Sequence, residues 1–509
     1  MSAKAVSLNP TYLAIDLGAS SGRAVLGTLA GERMETRELR RWATPLRETQ
    51  RAQEVKGATR ETRTALHWDI AAIWDEVRHA LADALAAAPG LRSVSVDSWA
   101  VDYVPVDASG AVVRPPHAYR DPRTRGRLAD AARKVGGAEA LYAITGIQSL
   151  DFNTIAQVTV DVETEPALVA RTAKRLMIAE YVLFQLSGRQ VAERTNASTT
   201  QLYDVRRGAW AEGVIRAIGD DPLRWPTIVE PGTVLGPLRP ELLPRGASGP
   251  VVIATCAHDT AAAVAAVPAD GRAPWAYISS GTWSLVGAEL RAPVTTPNAL
   301  RAGFTNEVGL GGTIRFLKNR TGSWVLEECV REWSEHGEGG QHVAWNVLFA
   351  EATRAQTMRC AIDLNAAPFG ERGSMVAKIQ DACDVAGIQQ PRSRGAFVRL
   401  VLESLADSYR RTLEELDTLT GARAEVVHIV GGGSRNALLN RLTADACGRR
   451  VIAGPDEATA LGNLLVQAHA LGDLPAHVSV RDAARASARL TEYTPGRARP
   501  DREPAMSTP

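Results

Sequence analysis

The chain has 509 residues, a length for about two to four domains. Hydrophobic residues make up 45% and charged residues 23%, which excludes a disordered or fibrous protein. Lys and Arg total 58 against 57 Asp and Glu, for a net charge of +1, so no overall field draws the chain to nucleic acid or an anionic membrane. No apolar run approaches the roughly 20 residues of a bilayer span. The opening MSAKAVSLNP carries no signal-peptide core. The cysteines Cys256, Cys329, Cys360, Cys383 and Cys447 are odd in number, scattered, and form no C-x-x-C pair. They predict neither a disulfide framework nor a structural zinc site, and point to a reducing cytoplasm.

In chain order, YLAIDLGASSGRAVLGTL (12–29) is two apolar runs around a Gly/Ser turn, which predicts a β-hairpin. In HWDIAAIWDEVRHALADALAAAPG, Ile70, Ile73, Trp74, Val77, Leu81 and Leu85 recur at helical spacing, with Asp69 as N-cap and Gly90 as stop. A buried strand at Ser93–Val96 leads into DSWAVD (97–102). Strands alternating with helices predict an α/β protein. The Pro/Gly-rich stretch 209–250 marks a domain boundary, and PVVIAT opens the second half. WAYISSGTWSLVGAEL (275–290) repeats the architecture of 12–29, which suggests two related domains. A helix is predicted over Ala396–Leu419, ending at Gly421. EVVHIVGGGSRNALLNRLTADACG then gives a strand, a triple-Gly turn and a helix ending near Gly448, and a further helix covers about 458–471. The domains are expected at 11–250 and 251–480. Residues 481–509 are expected as a C-terminal extension, largely a disordered tail.

Several strand ends carry groups capable of chemistry. The turn Gly18-Ala19-Ser20-Ser21-Gly22-Arg23 reads either as a phosphate cradle, with Asp16 holding a hydrated Mg²⁺, or as an ordinary tight hairpin. Gly281 and Thr282 stand in the second hairpin, where the hydroxyl suits a terminal phosphate. Gly431, Gly432 and Gly433 between a strand and a helix leave room for adenine or ribose, or serve as a flexible turn. Asp259, in AHDT, is either a carboxylate that takes a proton from a substrate hydroxyl or a helix cap. Asp97, Trp99, Asp102, Tyr103, Gln148 and Asn153 combine aromatic, carboxylate and amide groups of the kind that bind carbohydrate. Core packing accounts for each of them equally well.

Taken in order, AIDLGASSGR, HWD, VDSWAVDY, AYRDPRT, TGIQSLDFNT, TNASTTQL, HDTAAAV, YISSGTWSL, FLKN, HIVGGGSRNALLN, ADACG and VIAGPDEATALGN resemble the sugar kinases of the FGGY family, from about residue 12 to 463. The GIQSLDFNT and TNASTTQL stretches look most like its branch that acts on L-rhamnulose. The resemblance implies a duplicated actin-like, ribonuclease-H-like α/β fold with a central cleft for ATP and sugar. It implies Asp259 as catalytic base, with His258, Thr260, Trp99, Ala100, Asp102 and Asn319 on the sugar side. Ala19, Ser20, Ser21, Gly22, Arg23, Gly281, Thr282, Glu327 and Gly431–Gly433 would meet ATP, and Asp16 would hold Mg²⁺ through water. The product would be L-rhamnulose 1-phosphate. A kinase for L-fuculose, a pentulose or glycerol is the main alternative, and a non-catalytic sugar- or nucleotide-binding regulator a remote one. A monomer or homodimer with small-molecule substrates is expected. The sequence departs from the family pattern at Ala100 (usually Gly), Ala179-Glu180 (usually Pro-Asp), Asp151 (usually Pro) and Glu327 (often Gln). A methyl at Ala100 can alter sugar discrimination by about 1–3 kcal/mol.

Overall fold

The structure is a computed structural model that describes residues 9–53, 61–245, 249–336, 344–358 and 360–496. The tail from 497 and residues 246–248 of the Pro/Gly-rich boundary lie outside these.

The hairpin at the start of the chain is Thr11–Leu17 paired antiparallel with Ser21–Ala30, followed by Arg33–Ala43. Thr11–Leu17 also pairs in parallel with Leu91–Ser98, which pairs in parallel with Val251–Ala254, and Thr233–Pro237 closes the edge antiparallel. The three parallel strands are buried on both faces, hence their continuous apolar runs. A second, seven-stranded sheet has the order Thr305–Val308, Ile314–Thr321, Trp283–Leu290, Trp275–Ser280, Val426–Val430, Arg450–Ala453, Thr491–Tyr493. Trp275–Ser280, Val426–Val430 and Arg450–Ala453 run parallel. Both sheets therefore set a hairpin beside parallel strands, the same plan twice.

By its internal contacts the chain divides into two units. The first holds Met1–Asp270, Gly287–Lys318 and Glu457–Arg489, and the second holds Gly271–Val286, Asn319–Asp456 and Leu490–Pro509. In the first, helix Ile70–Ala87 buries Ile70, Ile73, Val77 and Leu81 against Leu13, Ile15, Val94 and Val96. Asp69 caps it by accepting from Ala72 N at 3.2 Å. The helix stops at Ala87, with Ala88 as its cap, two residues short of the expected Gly90. Helix Ala458–Ala470 packs so closely on helix Asp259–Ala265 that a Cβ on Gly462 would lie 1.9 Å from Ala262 O. Only glycine permits that approach. The same helix carries Gln467, which donates to Leu13 O at 2.9 Å and accepts from Ser93 Oγ at 2.6 Å.

In the second unit the long helix is Arg394–Thr420, capped by Ser393 and ended by Gly421 in the left-handed region. Its Tyr409 hydroxyl meets Ser284 Oγ at 2.7 Å in the core. Near the C-terminus, strand Thr491–Tyr493 belongs to this unit, while helix Val480–Ser487, closed by a Ser479/Asp482 capping box, belongs to the first. No helix of the described residues is long and apolar enough to cross a membrane.

Candidate active site

In the first unit, three neighbouring parallel strands end in acids, and the carboxyl ends of parallel strands are where α/β proteins bind ligands. Asp16 and Asp97 are register partners on Thr11–Leu17 and Leu91–Ser98. Asp259 follows Val251–Ala254, whose extension bridges His258 to Ser98. Asp16 is clasped by Arg23, its cross-strand partner, at 2.7–2.8 Å, and Arg23 also pairs with Glu457. Arg23, expected to meet phosphate, is thus already neutralised by two carboxylates. Asp97 is fully buried. Its Oδ2 accepts from Asn463 at 2.6 Å, and its Oδ1 has no hydrogen-bond partner among the described residues. Burial first, and then the charge of Asp16, push the Asp97 carboxyl well above its ordinary range.

Asp259 is the first residue of helix Asp259–Ala265 rather than its cap; His258 takes the cap position. Asp259 Oδ1 accepts from Thr260 N at 2.5 Å and Thr260 Oγ1 at 3.1 Å, and His258 Nε2 lies 3.3 Å away. All three contacts fall on Oδ1, and Oδ2 has none among the described residues. A third of the side chain still reaches solvent, at 32% exposure. Burial raises the Asp259 carboxyl, opposed by His258 and reinforced by Asp16. Behind this turn, Glu193 Oε2 accepts from Ala257 N at 2.9 Å and pins the strand end.

Trp99 and Asp102 are buried. Asp102 Oδ2 accepts from Trp68 Nε1 at 2.6 Å, Trp99 Nε1 at 3.0 Å and Tyr119 N at 3.0 Å. Its Oδ1 accepts from Gln157 at 2.8 Å. Both oxygens are filled, and Trp99 packs on Trp68 with ring centroids 4.5 Å apart. These groups form one buried network and leave no free polar atom on Asp102. Val101 has φ +70°, rare for a β-branched residue, and its carbonyl is held by Thr154 Oγ1 at 2.7 Å. Asn153 donates to Gln201 Oε1 at 2.9 Å and Gln148 O at 2.8 Å. In the first hairpin turn Ala19 and Ser21 are half-buried and Ser20 is exposed. Gly22 is required by the Trp42 indole, which a Cβ there would meet at 2.5 Å.

In the second unit, Thr282 Oγ1 stands 3.3 Å from Glu327 Oε1, and Ser323 Oγ donates to the same oxygen at 2.6 Å. Gly281 N donates to Trp283 O at 2.9 Å and forms the tight turn. Asn319 is half-buried near the end of Ile314–Thr321. The three glycines differ in their roles. A Cβ on Gly433 would lie 2.0 Å from Ser280 Oγ, Gly431 has φ +80° with Ser280 O at 3.0 Å, and Gly432 faces open space. The first and last are therefore demanded by the adjacent strand end, and only Gly432 leaves room for a ligand. A short 3₁₀ turn, Gly432–Arg435, contains the last two glycines and leads to helix Ala437–Cys447, whose N-cap Asn436 accepts from Leu439 N at 3.0 Å. The glycines thus lie between strand Val426–Val430 and this helix, the order the sequence suggested.

Sequence reasoning passed over Asn463, Glu457, Glu193, Glu307 and Arg315. Arg315 had a signal: it is a charge inside the apolar run Ile314–Leu317.

The N-terminal domain of the FGGY family of carbohydrate kinases matches residues 11–266, and its C-terminal domain matches 276–471. The chain belongs to this family and is an ATP-dependent sugar phosphotransferase. Rhamnulokinase of Klebsiella pneumoniae (strain 342) is 41% identical over 496 residues, covering 96% of this chain and 95% of the relative. Rhamnulokinase of Bacillus subtilis (strain 168) is 37% identical over 487 residues, covering 95% of each. Among solved structures, gluconate kinase from Lactobacillus acidophilus superposes with TM-score 0.76 at 16% identity, over 96% of this chain and 94% of that one. Plasmodium falciparum glycerol kinase with ADP gives 0.73 at 13%, over 96% and 95%. The fold is accordingly the duplicated, actin-like two-domain fold of sugar kinases.

Proposed function

We propose that this kinase transfers the γ-phosphoryl group of ATP to the primary hydroxyl of L-rhamnulose, giving L-rhamnulose 1-phosphate, with Asp259 as general base. One observation carries the assignment of the base. Asp259 Oδ1 is held by Thr260 and His258, while Oδ2, on a carboxylate raised by burial, has no partner among the described residues. A carboxylate with a raised pKa and one open oxygen is suited to accept a hydroxyl proton. Oδ2 takes that proton, the sugar oxygen bonds to the γ-phosphorus, and the bond to the ADP oxygen breaks. The choice of sugar rests on the rhamnulokinase relatives, 35–41% identical across nearly the whole chain.

On the sugar side we place His258, Thr260, Ala100 and Asn319, with Trp99 and Asp102 as the supporting wall. On the nucleotide side we place Ala19–Arg23, Gly281, Thr282, Glu327 and Gly431–Gly433, with Gly432 as the open position. Among the described residues no group of three or more His, Cys, Asp or Glu side chains is arranged to hold a metal ion. The residues fit a divalent ion carried in on the phosphates. Asp16, beside Asp97 Oδ1, which has no hydrogen-bond partner among the described residues, is the acid that would hold its water shell. Such an ion would supply neutralisation of phosphate charge. The five free cysteines suit a cytoplasmic enzyme.

The test is ADP release with ATP·Mg²⁺ against L-rhamnulose, L-fuculose, L-ribulose, D-xylulose and glycerol. A lead for L-rhamnulose of about tenfold in kcat/KM, or about 1.4 kcal/mol, supports the sugar assignment. A lead for another sugar overturns it and leaves the base assignment standing. A folded Asp259→Asn protein with normal turnover overturns the base.

A further inference from the structure

His258 is buried and gripped at both ring nitrogens. Nε2 faces Asp259 Oδ1 at 3.3 Å. Nδ1 faces Arg315 at 3.1 Å and Glu307 Oε2 at 3.4 Å. Glu307 and Arg315 are direct cross-strand partners on Thr305–Val308 and Ile314–Thr321, joined by an ion pair of 3.0 Å. Arg315 has no exposed surface, and its Nε donates to Val308 O at 3.2 Å, so the guanidinium is held in place. Neither residue belongs to a motif that the site required.

A guanidinium carries five N–H donors and no acceptor. Its contact with Nδ1 therefore requires a lone pair on that nitrogen. The proton of the neutral ring then sits on Nε2, directed at Asp259. The longer Glu307 contact would require the opposite tautomer or an imidazolium. Arg315 hydrogen-bonds Nδ1, whereas Glu307 Oε2 meets Arg315 as an ion pair and has no hydrogen-bond partner among the described residues, which favours the first arrangement. We infer that Arg315, with Glu307 as its anchor, is a positioning residue that fixes His258 as the Nε2–H tautomer. Asp259 Oδ1 is thereby saturated with donors, and Oδ2 is left for the substrate hydroxyl. This inference rests on the reading of Asp259 as base. Without Arg315, the ring proton moves to Nδ1, which donates to Glu307, and Nε2 turns a lone pair toward the Asp259 carboxylate. The carboxylate then loses its fixed orientation. The partner of one imidazole nitrogen generally sets what the other can do.

The experiment uses the full chain labelled with ¹⁵N-histidine, in which the nine histidines give separate long-range ¹H–¹⁵N patterns. His258 is assigned by its absence in His258→Gln. The expected wild-type pattern is neutral Nε2–H. Arg315→Met is expected to move it to Nδ1–H or to imidazolium, while Glu307→Gln and Arg315→Lys keep Nε2–H. In kinetics, Arg315→Met should lower kcat by roughly 10–100-fold, the usual scale for a residue that orients a functional histidine. KM for the sugar should change less, and Arg315→Lys should recover part of the loss. A wild-type Nδ1–H pattern overturns the inference even if Arg315→Met fails to fold. So does a folded Arg315→Met with unchanged tautomer and kcat. Full turnover by Asp259→Asn would instead remove the base while leaving the tautomer result intact.

Discussion

Asp16 and Asp97 face one another in register on adjacent parallel strands, and the carboxyl of Asp97 is held on its far side by the Asn463 amide at 2.6 Å. Two carboxylates this close in a dry interior cannot both ionise cheaply. Asp97 is fully buried, and its carboxyl is raised.

Asp97→Asn should therefore mimic the neutral acid. The amide keeps an acceptor for Asn463 and gives Asp16 a donor. In the wild type the folded chain holds this proton after the unfolded chain has released it, so stability falls as pH rises through the raised value. The variant is expected to gain in Tm relative to the wild type as the pH is raised above the range in which the unfolded carboxylate ionises. An equal Tm loss at every pH would show that Asp97 works as an anion.

Glu180 and Glu193 form a second buried carboxyl pair, both bonded to Asn196. Burial, then Glu193, raises Glu180 to about 8, and burial raises Glu193 to about 7. The pair titrates as a unit. Both values lie above that of an unfolded glutamate, so the stability they contribute declines from about pH 4.3 through about pH 8. Glu180→Gln should flatten this decline. Its Tm advantage over the wild type should grow from pH 6 to pH 9 in thermal unfolding followed by circular dichroism, and a constant offset would contradict the assignment.

Asp102 accepts four N–H groups and has no exposed surface. An asparagine there turns its own NH₂ toward one of these donors. One buried donor left unsatisfied costs about 1–3 kcal/mol. Asp102→Asn should lower the urea midpoint accordingly, and turnover of the folded fraction should survive. Unchanged stability together with abolished sugar binding would make Asp102 a direct ligand.

Gly432 and Gly433 separate packing from ligand binding. Gly433→Ala places a methyl on Ser280 and should lower the Tm, whereas Gly432→Ala meets nothing within 4 Å. Gly432→Ala is expected to keep its stability within about 0.5 kcal/mol and to raise KM for ATP. A normal KM in that variant would remove the glycine turn from the nucleotide site.

The local part of this protein was written in its sequence. The apolar runs around Asp16 and Ser279–Thr282, the helical spacing from Ile70 and the stop at Gly421 each depend on neighbours a few residues away, and the structure has them nearly at their expected bounds. The order of the motifs was enough for the family. Only the tertiary structure decided which charges meet. Asn463 reaches Asp97 across 366 positions of sequence, and Arg315 reaches His258 across 57. It also gave both oxygens of Asp102 protein donors, and showed Gly433 to be shaped by Ser280. Periodicity and turn chemistry act over one or two turns of chain. The partner of a buried charge is chosen by strand register and helix packing, which no single segment contains.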